Sequence, residues 1–113
     1  MAISIQAAKA KGRKLQQLVR DAILAAFPEL EPGDAISCPM GSQGQDIILS
    51  PAAKRIIPFS IECKARAKGF TPLYEALEQA ERDDGLMPVA IVKQDRRAPL
   101  VVMSLGDWLK LIG

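Results

Sequence analysis

Histidine is absent from the 113-residue chain. Its absence excludes Ser-His-Asp triads, Cys-His pairs, imidazole-ligated zinc and imidazole acid–base catalysis, leaving carboxylates, lysines and hydroxyls to do chemistry. Cysteine is scarce. Cys38 and Cys63 form no C-x-x-C and fall short of a zinc cluster, so free, buried thiols are expected. Aromatic residues make up only 4% of the chain, and Phe59, Phe70, Tyr74 and Trp108 are too scattered to form a base-stacking platform, which leaves them to packing. No window reaches the ~18 apolar residues of a membrane span, and Met1 to Ala10 lacks the apolar run of a signal peptide. A cytoplasmic protein with no membrane partner is expected.

What is present fits one globular domain over residues 1–113, with 49% hydrophobic and 25% charged residues. The formal charge of +2 names no polyanionic partner, but its distribution is uneven. Before Asp21 the chain carries Lys9, Lys11, Arg13, Lys14 and Arg20 and no acid, while acids gather in 29–34 and 75–84. Lys11, Arg13 and Lys14 are therefore candidates for phosphate contact, the alternative being a solvated helix end.

Spacing along the chain predicts an α/β protein of order αβββαββα. Leu15, Leu18, Val19, Ala22, Ile23 and Ala26 give a core-facing stripe to a first helix that Pro28 ends. A short strand near 35–38 and a glycine-punctuated loop over 40–46 lead into the apolar strand 47–49. Residues 50–55 read as a turn or a single helical turn, and 56–65 as a second strand completing a hairpin. Thr71 and Pro72 start a helix expected to run to Gly85, strands follow at 89–92 and 100–103, and Ser104 caps a last helix.

One constellation carries chemistry. Asp46 opens the strand after the glycine loop, and Glu62-Cys63-Lys64 ends the next run. Paired as a hairpin, these segments bring two carboxylates to one end, where they can share a hard cation. Magnesium suits them, since it keeps several waters and takes further oxygens from a phosphate, and the Cys63 carbonyl could add a ligand. Lys64 lies about 6.6 Å beyond Glu62 on the same strand face, within reach of a metal-bound water. Phosphodiester hydrolysis follows from such a group. The bland alternative makes Glu62 and Lys64 a surface ion pair and Asp46 a turn residue. The backbone of Gly41 and the hydroxyl of Ser42 could approach a phosphate, and Arg66 with Lys68 could extend a cationic surface, whereas Arg96 and Arg97 sit in a turn where charges are commonplace.

Asp46-Ile47-Ile48-Leu49 followed by Ile61-Glu62-Cys63-Lys64 resembles the core of the PD-(D/E)XK nuclease superfamily. Lys11-Gly12-Arg13, Ala26-Phe27-Pro28-Glu29, Gly44-Gln45-Asp46-Ile47 and Glu62-Cys63-Lys64 further resemble small phage-encoded nucleases similar to archaeal Holliday junction resolvases. The resemblance implies a restriction-endonuclease-like αβββαβ core with a mixed four- or five-stranded sheet flanked by helices. It also implies Mg²⁺, replaceable by Mn²⁺, held by Asp46 and Glu62, with Lys64 positioning the nucleophilic water and Gln79 supporting the site. The activity implied is cleavage of branched DNA such as four-way junctions by a homodimer, in a phage or prophage setting within a bacterial host. Two positions depart from the pattern: Gln45 replaces a proline, and Gln16 or Gln17 stands where many relatives place a metal-site glutamate. A nuclease of flaps or linear duplexes, and a non-catalytic nucleic-acid-binding module, are the competing expectations.

Overall fold

The computed structural model describes residues 4–39 and 44–113. They fall into two compact units, 1–66 with 112–113 and 67–111.

In the first unit, α1 (Ile5–Ala26) begins where the Ser4 hydroxyl accepts the Ala7 N–H at 3.1 Å, and ends as the Phe27 N–H bonds the Ile23 carbonyl. Its buried line is Gln16, Val19 and Ile23, continued by Phe27, at spacings of three and four. Leu18, expected in the stripe, is 56% exposed, and the buried glutamine takes a core position that an apolar pattern does not register. A 3-10 turn (Pro32–Asp34) leads to β1 (Ala35–Ser37), which pairs antiparallel with β2 (Ile47–Leu49) in the register Ala35 to Leu49 and Ser37 to Ile47. Ala35, Ile47 and Leu49 are buried where α1 packs, while Ile36 and Ile48 point the other way and are exposed. Helix α2 (Pro51–Ile56) follows, capped by the Ser50 hydroxyl, which accepts the Ala53 N–H at 3.1 Å. Ser50 also donates to Asp34 Oδ1 at 2.7 Å, tying the start of α2 to the 3-10 turn. That hydrogen bond, with the Glu31 N–H, holds the Asp34 carboxyl below its ordinary pKa.

The second unit carries α3 (Thr71–Ala80), the antiparallel pair β3 (Ala90–Val92) and β4 (Leu100–Val102), and α4 (Leu105–Ile112). Helix α3 stops at Ala80, short of the expected Gly85, because Glu81 turns to extended backbone and Asp83 and Gly85 adopt positive φ. Thr71 is its first helical residue rather than its cap, and Pro72 is tolerated in the same turn. Ser104 caps α4, its hydroxyl accepting the Asp107 N–H at 3.1 Å.

The expected mixed four- or five-stranded sheet is not formed. The described residues make two separate two-stranded antiparallel sheets, one in each unit. The difference lies at 50–65. Ser50 and Pro51 supply a helix start, so the anticipated turn becomes α2, and Pro58 has no N–H to give a ladder. The run 57–65 forms no regular element and joins no sheet, and Phe59, expected to pack, is 42% exposed.

Candidate active site

Asp46 is the point where three segments of the first unit meet. Its carbonyl accepts the Cys38 N–H beyond β1 at 2.8 Å, its N–H donates to the Ile61 carbonyl at 3.1 Å, and its Oδ2 accepts the Cys63 N–H at 2.7 Å. The last two bonds bracket Glu62. They follow the pattern of a single parallel β-bridge between Asp46 and Glu62, with the aspartate side chain standing in for the carbonyl that Cys38 has already taken. Gly44, at φ 111°, makes the sharp turn just before, where any other L residue would be strained.

The alternation expected over 61–65 survives without a sheet. Ile61, Cys63 and Ala65 are half-buried, and Glu62, Lys64 and Arg66 are exposed. Glu62 and Lys64 do not form an ion pair with each other; among the described residues the pair within reach of geometry is Arg20 with Asp21, at 2.9 Å. The Cys63 thiol is pushed above its ordinary pKa, first by burial and then by the negative charges of Asp46 and Glu62. Both carboxylates thus act on one sulfur.

This donor set fits a hard divalent cation. Asp46 is half-buried and has one carboxylate oxygen fixed by a backbone N–H, the kind of support that orients a ligating carboxylate. Glu62, on the segment tied to Asp46, is exposed. Among the described residues no three His, Cys, Asp or Glu side chains cluster as a metal-binding group.

Gln16 is buried at 7% exposure, with its Oε1 accepting the Ser37 hydroxyl at 2.7 Å. It fastens α1 to β1 one residue before Cys38, the residue that bonds the Asp46 carbonyl. Sequence reasoning passed over Ser37, because a contact 21 positions away leaves no local signal. On α1, Lys11 and Lys14 share one face at a spacing of three, and Arg13 lies on another with Lys9, so the basic residues wrap the helix rather than form one stripe. Gln79 is exposed on α3 in the second unit, to which exposed Lys68 also belongs, whereas Asp46 and Glu62 belong to the first. Gly41 and Ser42 lie outside the described residues. Comparisons of the chain with protein-family models, curated proteins and solved structures give no match.

Proposed function

We propose that the chain is a divalent-metal-dependent nuclease that hydrolyses phosphodiester bonds in DNA, with branched DNA such as four-way junctions as its preferred substrate and a homodimer as its working form. The reading is supported by the two bonds from Asp46 to the residues on either side of Glu62, which bring the Glu62 backbone beside Asp46 although the two residues are 16 positions apart in the chain. The junction preference, the dimer and the setting in a phage-carrying bacterial cytoplasm come from the sequence resemblance. No helix among the described residues is long and apolar enough to cross a membrane.

Asp46, through the oxygen not spent on Cys63, and Glu62 would hold magnesium or manganese, and the Cys63 carbonyl adjoins Glu62 in sequence. When bound, the ion acidifies a water and offsets the charge that develops on the phosphate. Lys64 extends from the exposed side of the same segment and holds a water by its ammonium group. Gln79 enters by resemblance alone.

The test is incubation of labelled four-way, flap and linear DNA with and without magnesium, using Asp46→Asn and Lys64→Ala as controls. Cleavage by the wild type that both variants lose, with binding retained, supports the reading. A second reading, a module that binds nucleic acid without cutting it, is favoured by Gln16, whose carbonyl is committed to Ser37 and which brings no third negative charge. Tight binding with no cleavage in magnesium or manganese would select it.

A further inference from the structure

The second unit holds a cleft of about 780 Å³ between the first turn of α3 and the β3–β4 hairpin, lined by Pro72 and Leu73 on one side and by Val92, Lys93, Arg97 and Leu100 on the other. Leu73, Val92 and Leu100 give it apolar lining, and Lys93 and Arg97 give it two cations. The Lys93 ammonium makes one contact among the described residues, a long 3.5 Å approach to the Gln94 carbonyl, and neither Lys93 nor Arg97 is ion-paired there. The first turn of α3 carries no acid; five of this unit's acids lie at 75–84, Asp107 lies in α4, and Asp95, in the hairpin turn itself, is outnumbered there by Lys93, Arg96 and Arg97.

The hairpin turn is built to present charge. The Arg97 N–H closes it on the Gln94 carbonyl at 3.0 Å, and Arg96 sits at φ 66°, where glycine would be unstrained. Arg96 and Arg97 read in the sequence as ordinary turn charges. In the fold they stand beside a cleft with no carboxylate in its lining.

We propose that this cleft binds nucleic acid, with Lys93 and Arg97 contacting a backbone phosphate and Leu73, Val92 and Leu100 seating the adjoining sugar. The inference rests on the nucleic-acid reading above and adds a contact surface remote in sequence from Asp46 and Glu62. Charge complementarity selects the occupant: two unpaired cations with apolar lining match a phosphodiester, and contact with the backbone is independent of base sequence.

The experiment is fluorescence anisotropy of a labelled DNA duplex and a labelled four-way junction in EDTA, where no cleavage occurs, across a series of salt concentrations. Lys93→Ala/Arg97→Ala is expected to weaken binding roughly tenfold or more at moderate salt and to make the salt dependence shallower by about two counterions. Lys93→Arg/Arg97→Lys, which keeps both charges, is expected to bind as the wild type does, and circular dichroism checks that each variant is folded. Unchanged affinity and salt slope in the folded alanine variant overturns the cleft, as does a wild type that binds neither DNA. Loss of binding in a protein whose wild type never cleaves DNA in magnesium leaves the cleft standing and removes the nuclease reading. The two failures are therefore separable.

Discussion

The carboxylate of Asp46 accepts the backbone N–H of Cys63 at 2.7 Å, so a candidate catalytic side chain is also a structural tie between β2 and the segment that carries Glu62 and Lys64. Charge and hydrogen bonding at this position can be separated by substitution. Asp46→Asn keeps an oxygen for the Cys63 N–H and loses the charge; Asp46→Ala loses both. Urea unfolding is expected to cost Asp46→Ala about 1–3 kcal/mol, the penalty for an unsatisfied half-buried donor, and Asp46→Asn clearly less. Cleavage is expected to fall by at least about a hundredfold in both.

The Gln16 to Ser37 hydrogen bond joins α1 to β1 inside the core. Gln16→Leu leaves the Ser37 hydroxyl without its acceptor and is expected to destabilise the protein by about 1–3 kcal/mol. Combining it with Ser37→Ala should recover part of that loss, because both polar partners are then gone. A double-mutant cycle in urea, with a coupling energy near zero as the contrary result, measures this.

Asp34 has its carboxyl pKa lowered by the Ser50 hydroxyl and the Glu31 N–H. A group depressed in the folded state contributes stability above its unfolded pKa and loses it as pH falls through the folded value. The midpoint of thermal unfolding should therefore drop on acidification below about pH 4, and drop less steeply in Asp34→Asn. Parallel curves for the two proteins would show that Asp34 does not contribute to acid sensitivity.

Cys63 has its thiol pKa raised by burial and by the charges of Asp46 and Glu62. Alkylation at pH 8 should be slow, and Glu62→Gln should speed it by lowering the thiol pKa while leaving the Asp46 tie in place. The rate of iodoacetamide labelling at Cys63, followed by mass spectrometry across pH, reads this directly. Labelling at an unchanged rate in Glu62→Gln would mean that the glutamate charge does not reach the sulfur.

Arg96 lies in the left-handed region at φ 66°. Arg96→Gly is expected to stabilise the hairpin by about 1 kcal/mol through relief of that conformation, measured by urea unfolding. Lower stability would show that the arginine side chain makes compensating contacts in the folded state.

Local signals in the sequence located α1, the β3–β4 pair and the Ser104 cap, because each depends on apolar spacing or on one capping residue, whereas β2 pairs with β1 rather than with the expected run 56–65. The sheet was not legible at 50–65. There Ser50, Pro51 and Pro58 shift a β-favouring run toward helix and unpaired chain, and the N–H of Cys63 goes to a side chain rather than to a neighbouring strand. Asp46, Glu62 and Lys64 stood out as chemical groups, and the meeting of Asp46 with the residues on either side of Glu62 came about through one backbone bond and one from backbone to side chain, which spacing does not encode. Gln16 was visible only as a departure from a pattern. Its partner Ser37 became apparent only when α1 packed on β1.

The central claim is that Asp46 and Glu62 share one hard cation. Titration of Mn²⁺ into the protein, with free ion followed by electron paramagnetic resonance, tests it without recourse to a substrate. The wild type should take up Mn²⁺ in competition with Mg²⁺, and Asp46→Asn and Glu62→Gln should each lose that uptake while remaining folded. Equal Mn²⁺ binding by the wild type and both folded variants, or none by the wild type, would contradict the account.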